Sequence, residues 1–380
     1  MTNKPKILIV GAGIGGLATA IALQQAGFEV EIYENAPVLR GIGAGISLWS
    51  NATAVLEKLG LLDEAVSKSA VYKTVKVQDE RGKLLMQTDI GNYPTPSICI
   101  HRADLIDLLK RNCAPGTIHL GKTFERFEQS ETKVTALFAD GTSAGADILI
   151  GADGIHSRVR SQIKGDSKLI YRGYAIWRST VEFDSTNRHL DSPSETFGKG
   201  KRVGLVPIGK NRFYWYATNN QPENLNLPAA ERKAQLLKFF QHWHAPIPQI
   251  IAATNAENIL HNDCYDRLPE RGWSAGRVCL IGDAAHPTTP NLGQGGCMAL
   301  EDAIVLTKCL RKSLSSNDAF REFEELRFAR TKFITERSLM IGNVGQWQNP
   351  LAVFLRNSVT RLTPEKSLQK NFEPIYGFQA

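Results

Sequence analysis

"KILIVGAGIGGLATAIALQQAGFEVEIYE", residues 6–34, decides the fold of this chain. Residues 6–10 are a short unbroken apolar run rich in β-branched side chains, the pattern of a strand buried on both faces. Gly11, Gly13 and Gly16 follow at GxGxxG spacing, with Gly15 between them. Residues 17–27 read as a helix closing at Gly27, and 29–34 as a second strand ending on Glu34. Each part has a physical task. Gly11 permits the tight turn, Gly13 lets a pyrophosphate approach the backbone, and Gly16 lets the helix pack close to the strand. The helix N-terminus offers free N–H groups and a positive dipole end to phosphates. Glu34 stands where an acid binds a ribose hydroxyl pair, which disfavours NADP and leaves NAD and FAD.

Two later stretches look built for the same ligand. "ADILIGADGIHSRVR" (146–160) is a buried-strand run, then Gly151, Asp153 and Gly154, then a helix carrying Arg158 and Arg160. "GRVCLIGDAAHPTTPNLGQGGCMALEDAIVL" (276–306) has a strand at 277–281, then Gly282 and Asp283, and a helix from about Cys297. Neither is a second GxGxxG, so a second dinucleotide domain is not expected. Asp283, at a strand's C-terminal edge, would face the polyol chain of a flavin, and Pro287 and Pro290 would stiffen the next loop over the ring. Gly293, Gln294, Gly295 and Gly296 would bring backbone N–H groups to the flavin's pyrimidine edge.

Bulk composition narrows the alternatives. A chain of 380 residues with 42% hydrophobic and 22% charged residues suits a soluble enzyme of two closely packed domains. Its net charge of +7 comes from dispersed Lys and Arg, which argues against nucleic acid and fits an anionic ligand. The six cysteines show no CxxC or framework spacing, as in a reduced cytoplasmic protein. The N-terminal apolar run passes straight into a glycine loop and is no signal peptide; nothing approaches the roughly 18 apolar residues of a membrane span. No stable membrane association is expected.

Residues 170–218 alternate polar with aromatic and apolar side chains between glycine turns, an antiparallel sheet with one solvated face. "HWH" (242–244) reads as helix surface rather than a metal pair, and no metal site is expected. His286 reads as a structural hydrogen-bonding group and Cys297 as packing. From about residue 298 the chain reads helical. The final segment, "NPLAVFLRNSVTRL" (349–362), is amphipathic and is expected to cap the rear of the active site or a dimer face.

These motifs, with "GIGAGISLWSNA" (41–52) and "HRADL" (101–105), make the chain resemble the single-component FAD-dependent aromatic hydroxylases, the p-hydroxybenzoate hydroxylase-like monooxygenases, over nearly its whole length. The likeness is nearest to the urate, 6-hydroxynicotinate and salicylate hydroxylase branches, with some similarity to zeaxanthin epoxidase. It implies an α/β protein: a Rossmann-like FAD-binding domain, an interleaved antiparallel-sheet substrate domain and C-terminal helices. The FAD domain would take residues 1–70, 100–168 and 273–335, the substrate domain 71–99 and 169–272, and a helical segment 336–380. It implies that Asp283 binds the FAD ribityl chain, that Asp153 and Gly154 serve FAD and NAD(P)H, that Arg102 lies beside the FAD, and that Arg40 lies near its adenosine end, with Gly45 in the same motif. Pro290 would wall the flavin face on which oxygen reacts, and Arg202 and Tyr214 would contact the substrate, with Tyr216 and Trp177 as further options. The activity implied is NAD(P)H- and O2-dependent hydroxylation of a small aromatic or N-heteroaromatic ring through a flavin C4a-hydroperoxide, in a monomer or homodimer. The alternatives are an epoxidase or hydroxylase of a larger lipophilic or tetracycline-like substrate, and a non-catalytic flavin-binding redox sensor.

Overall fold

Lys6–Val10 pairs in parallel with Glu29–Tyr33 on one side and with Ile148–Gly151 on the other. Ile148–Gly151 in turn pairs with Val278–Leu280, and Glu29–Tyr33 with Ile118–His119, both in parallel. Ser274–Ala275 adds an antiparallel edge, completing a six-stranded sheet. The computed structural model that shows this describes residues 4–39, 44–165, 168–183, 190–209, 211–225, 227–313 and 315–380. Five strands run side by side in one direction, and in four of them Val10, Tyr33, Gly151 and Leu280 end in register at one edge. The glycine stretches after Val10, Gly151 and Leu280 leave from that edge, where ligands bind in open α/β sheets.

The helix Ile14–Gln25 packs on this sheet and against Gly295–Lys312. It starts three residues earlier than the apolar pattern suggests, because Gly13 is already its extended N-cap. The Gly295–Lys312 helix likewise starts two residues before Cys297.

A seven-stranded sheet forms the second layer, in the order Leu260–Asp266, Ile170–Glu182, Arg212–Asn220, Lys201–Pro207, Ser194–Phe197, Thr74–Asp79, Leu84–Asp89. The expected solvated face of its central strands is instead covered. Trp177, Val203, Leu205 and Trp215 project to one side and pack with Leu236, Phe240, Ile247 and Ile250 of two helices, Ala229–Phe240 and Ile247–Ala253. The opposite face carries Tyr174, Arg178, Arg202, Tyr214 and Tyr216, as the two-residue period requires. Two small three-stranded sheets complete the β-structure among the described residues; one holds Gly45–Leu48 beside Ser97–His101.

The long helix Ser316–Gly345 crosses behind Gly295–Lys312, and Pro350–Leu362 and Glu365–Tyr376 follow it. Residues 242–244 do not continue a helix: Ala229–Phe240 has ended, Trp243 sits edge-on to Phe240, and His244 Nε2 lies 3.0 Å from Thr196 Oγ1. Among the described residues no group of side chains is arranged to hold a metal, and no helix is long and apolar enough to cross a membrane.

Candidate active site

At the edge of the parallel sheet the glycines divide into those that make room for protein and those that leave room for something else. A Cβ on Gly16 would lie 2.0 Å from Gly11 O, and one on Gly11 would lie 2.5 Å from Ala152 O, so both are required by the close passage of strand and helix. Gly11 also holds a φ of +104°, a region glycine enters freely. Around Gly13 and Gly154, by contrast, a Cβ would meet nothing within 4 Å among the described residues. That bare backbone suits a phosphate approaching over Gly13.

The helices around the edge divide in the same way. Arg158–Lys164 is capped by Ser157, which accepts from Arg160 N, and Arg102–Arg111 by His101, which accepts from Ala103 N. Ile14–Gln25 and Gly295–Lys312 have no side-chain cap and no acid in their first turns. Their N-terminal N–H groups and dipoles are left for a ligand.

Glu34 closes the first strand pair. Its carboxylate accepts from Ala12 N at 2.8 Å and Ala36 N at 2.9 Å, which stiffens the glycine turn and leaves lone pairs for a ribose. Asp153 is more fully committed: it accepts from Ser157 Oγ, from Arg158 N at 2.8 Å and from Val159 N at 3.2 Å. Its first task is therefore to hold the start of the next helix. Arg40 lies outside the described residues.

Asp283 and Arg102 each keep solvent-accessible surface while protein crowds them on most sides, which makes them walls of a concave cleft. Burial raises the Asp283 carboxyl above its ordinary range, against the opposing pull of His286 and Arg102. Burial, with Arg178 nearby, lowers Arg102 below its usual range, while Asp283 pulls the other way. A costly carboxylate with the Arg102 guanidinium acting on it suits the hydroxyls of a polyol chain.

The loop after Asp283 is built tightly. Pro290–Leu292 is a single 3-10 turn whose C-cap, Gly293, adopts the left-handed conformation at φ +62°. Pro290 itself is exposed. Several glycines assigned to the cofactor have a packing reason as well. A Cβ on Gly45 would lie 2.5 Å from Tyr214 Cβ, one on Gly293 3.1 Å from Trp49 Nε1, one on Gly296 2.9 Å from Ile46 Cδ1, and one on Gly282 3.3 Å from the Ala299 methyl. Gly15 meets the same methyl at 3.2 Å. Gly295 is the looser one, with Thr288 and Asp283 beyond 3.5 Å. Gln294 is buried, and its side-chain carbonyl accepts from Asn51 Nδ2 at 2.9 Å, so it contributes its backbone alone to the loop's inner surface.

Behind this loop lies a buried ionic cluster that no sequence motif identified. Asp302 accepts from Gly282 N at 2.8 Å and lies 2.7 Å from both His286 Nε2 and Arg327 Nε. Glu301 takes Arg327 at 2.6 Å, Arg330 at 3.0 Å and Asn51 Nδ2 at 2.6 Å. Burial opposes ionisation of Asp302, but His286 and Arg327 outweigh it and hold the carboxyl down at about 2. Arg160 is a second missed brace: its guanidinium donates to Ala284 O and Ala285 O and pairs with Glu270. The available signal was a pair of adjacent acids inside an otherwise apolar helical run, "MALEDAIVL". Cys297 is fully buried at the helix start, where burial pushes its thiol up to about 12, so it packs and is not a nucleophile.

The substrate-facing candidates arrive from the seven-stranded sheet. Arg202 is 2% exposed and donates to Asn291 Oδ1 at 2.6 Å, Gln346 Oε1 at 3.0 Å and Glu195 Oε1 at 3.1 Å. Asn291 belongs to the Pro290–Leu292 turn, so Arg202 is joined directly to the loop after Asp283. Tyr214 packs against Gly45, its hydroxyl makes no hydrogen bond among the described residues, and burial pushes it up to about 12. It is thus a neutral donor across the working pH range. Tyr216 stands 6.0 Å from it, ring to ring, and covers Gly204. Trp177 is elsewhere: it is fully buried on the helix-covered face, stacked on His261 at 4.8 Å.

Two uncapped helix ends, an open glycine cradle and the Asp283 carboxylate therefore stand around one edge of the parallel sheet, and the turn after Asp283 is joined to Arg202 of the second sheet. Residues 4–338 match the FAD binding domain family model. The chain is 37% identical over 360 residues to an aurachin C monooxygenase/isomerase of Stigmatella aurantiaca, covering 94% of each chain. It is 34% identical over 336 residues to an FAD-dependent urate hydroxylase of Klebsiella pneumoniae, covering 86% of this chain and 87% of that one. The crystal structure of Klebsiella pneumoniae HpxO complexed with FAD and uric acid superposes with a TM-score of 0.90 at 30% identity, over 96% of this chain and 95% of that one. The chain belongs to the FAD binding domain family, among the FAD-dependent aromatic hydroxylases.

Proposed function

We propose that this enzyme is an NAD(P)H-consuming monooxygenase that holds FAD in the cleft and hydroxylates a small aromatic or N-heteroaromatic ring. The observation that carries this reading is the junction of Arg202 with Asn291, which brings a cationic, hydrogen-bonding side chain of the second sheet onto the loop following Asp283. Bound FAD, reduced by NAD(P)H, supplies the activation of O2; one oxygen atom enters the ring and the other leaves as water.

The protein's own residues position and exclude. Gly13 and the first turn of Ile14–Gln25 hold the pyrophosphate, Glu34 the ribose and Asp283 the polyol chain. The N-terminus of Gly295–Lys312 favours the negative charge that a reduced ring carries. Arg202 spends three of its donors on Asn291, Gln346 and Glu195. A guanidinium has five N–H groups, so two are left for an acceptor on the substrate, and the Tyr214 hydroxyl supplies a third donor. That donor-rich wall suits an oxygen- or nitrogen-bearing ring. Pro290 and the apolar packing around Gly293 and Gly296 limit water at the reacting face.

The test follows NADH and NADPH consumption by the FAD-loaded protein, with peroxide counted in parallel, across phenols, hydroxypyridines, purines and quinolones. A ring compound that accelerates consumption while peroxide stays low is a substrate and supports the reading. If every compound that accelerates consumption yields peroxide one for one, or none accelerates it, monooxygenation of such rings is excluded.

A further inference from the structure

Residues 357–374 include no buried side chain, and then Ile375, Tyr376 and Ala380 are buried again. The helix Glu365–Tyr376 is thus anchored mainly at its end, and the anchors are specific. Arg330 donates through Nη1 to Pro374 O and through Nη2 to Ile375 O, the latter at 2.7 Å. A guanidinium there satisfies carbonyls of the last turn and sits at the negative end of the helix dipole. Arg327 and Arg330 both lie over the Phe378 ring, 5.4 and 4.7 Å from its centroid. Lys58 donates to Ala380 O. The Tyr376 ring stacks on Trp49, with centroids 4.2 Å apart and planes 14° from parallel.

These same anchors hold the Gly293–Gly296 turn from behind. Trp49 lies directly under Gly293, where a Cβ would come within 3.1 Å of its indole nitrogen. Arg327 and Arg330 both pair with Glu301, which accepts from Asn51 Nδ2 at 2.6 Å. Asn51 Nδ2 also donates to Gln294 Oε1 at 2.9 Å. Two routes therefore join residues 375–380 to neighbouring residues of one turn. The aromatic route is Tyr376 to Trp49 to Gly293, and the ionic route is Ile375 O to Arg330, Glu301, Asn51 and Gln294. A close-packed interior passes displacement along such contacts.

We propose that the 375–380 segment positions the Gly293–Gly296 turn for FAD, so that docking of the segment and binding of the cofactor strengthen each other. This rests on the reading that the turn meets the flavin, and it holds whichever ring the enzyme oxidises. Tyr376 and Arg330 are positioning residues here, acting through Trp49 and Glu301. Because little buried surface ties down residues 357–374, the segment can lift at lower cost than the core can unfold. Linkage then requires FAD to suppress that lifting by the factor with which the docked segment tightens FAD.

The test combines hydrogen exchange of peptides covering 371–380, with and without FAD, and flavin fluorescence titration of variants well below their melting ranges. FAD is expected to slow exchange in this segment about tenfold, and Tyr376→Ala to weaken FAD binding about tenfold. Tyr376→Phe keeps the ring on Trp49 and is expected to match the wild type. The exchange measurement uses the wild-type protein and decides the matter even if Tyr376→Ala fails to fold. Gly295→Ala, whose methyl would meet Thr288 and Asp283 only beyond 3.5 Å, checks the underlying reading separately. If Gly295→Ala weakens FAD binding while Tyr376→Ala and the exchange of 371–380 show no link to FAD, the segment is packing alone and the proposal is overturned. If neither substitution changes FAD affinity, the turn does not meet the flavin and both fall together.

Discussion

Asp283 and Asp302 stand at the two ends of one loop–helix unit and titrate in opposite directions. Asp302 is held at about 2, below the 3.8 of a free aspartate, mainly against its burial and by His286 and Arg327. A depressed carboxyl stabilises the fold above its unfolded value, and that contribution is lost as pH falls toward 2. Asp302→Asn should therefore cost about 3 kcal/mol at pH 7, the usual penalty for removing one partner of a buried pair. In urea unfolding the wild-type and variant stabilities should converge as pH drops from about 4 toward 2; parallel curves would count against the cluster. Asp283 is raised, chiefly by burial, so its ionised form works against the fold above that raised value. Asp283→Asn is accordingly expected to leave the apoprotein as stable or more so at pH 7. FAD affinity, read by flavin fluorescence titration, should fall by about tenfold or more, the worth of a charged acceptor on a hydroxyl. A destabilised apoprotein with unchanged FAD affinity would make Asp283 a packing residue.

The glycine turn between the first strand and helix allows a sharper contrast, because neighbouring glycines there serve different ends. Gly16→Ala drives a methyl into Gly11 O, which backbone cannot yield, whereas Gly13→Ala projects into open cleft. The first variant is expected to melt well below wild type without cofactor; the second should match the wild-type apoprotein and fail to retain FAD. Thermal melts of the apoproteins, set beside the flavin absorbance of purified holoproteins, distinguish the two. This element was legible in the sequence because its signals are local: an apolar run, a spaced set of glycines, then a second apolar run. The pattern was less sharp where glycine occupies a helix. Gly295 and Gly296 begin a helix that propensity places two residues later, since helical glycine costs about 1 kcal/mol, and the close approach of Ile46 leaves room only for glycine at 296. Period two named the strands of the second sheet but not its faces. Trp177 and Tyr216 alternate with their neighbours in the same way, and only the two helices packed on Trp177 tell core from site.

What the sequence could not display at all is pairing between distant parts of the chain, and at the scale of the molecule those pairings make the site. Asn51 meets Gln294 across 243 residues, and Arg202 ties the second sheet to the Pro290–Leu292 turn and to Gln346 at the end of the long helix. Buried guanidinium bonds to neutral amides leave no composition or spacing signal, so Arg202 was found only through resemblance. A role in holding the parts together and a role in touching substrate make different predictions for Arg202→Gln. The substitution strands Glu195, whose side chain is 19% exposed, and should cost about 2 kcal/mol of stability, less than a fully buried pair because water reaches the carboxylate. If Arg202 also faces the substrate, KM for the ring compound should rise and the fraction of NAD(P)H electrons lost to peroxide should climb, while the slow consumption without substrate stays unchanged. A variant that melts earlier yet keeps the wild-type KM and peroxide fraction below its melting range would confine Arg202 to bracing the loop, and Tyr214 and Tyr216 would then be the remaining candidates from that face of the sheet.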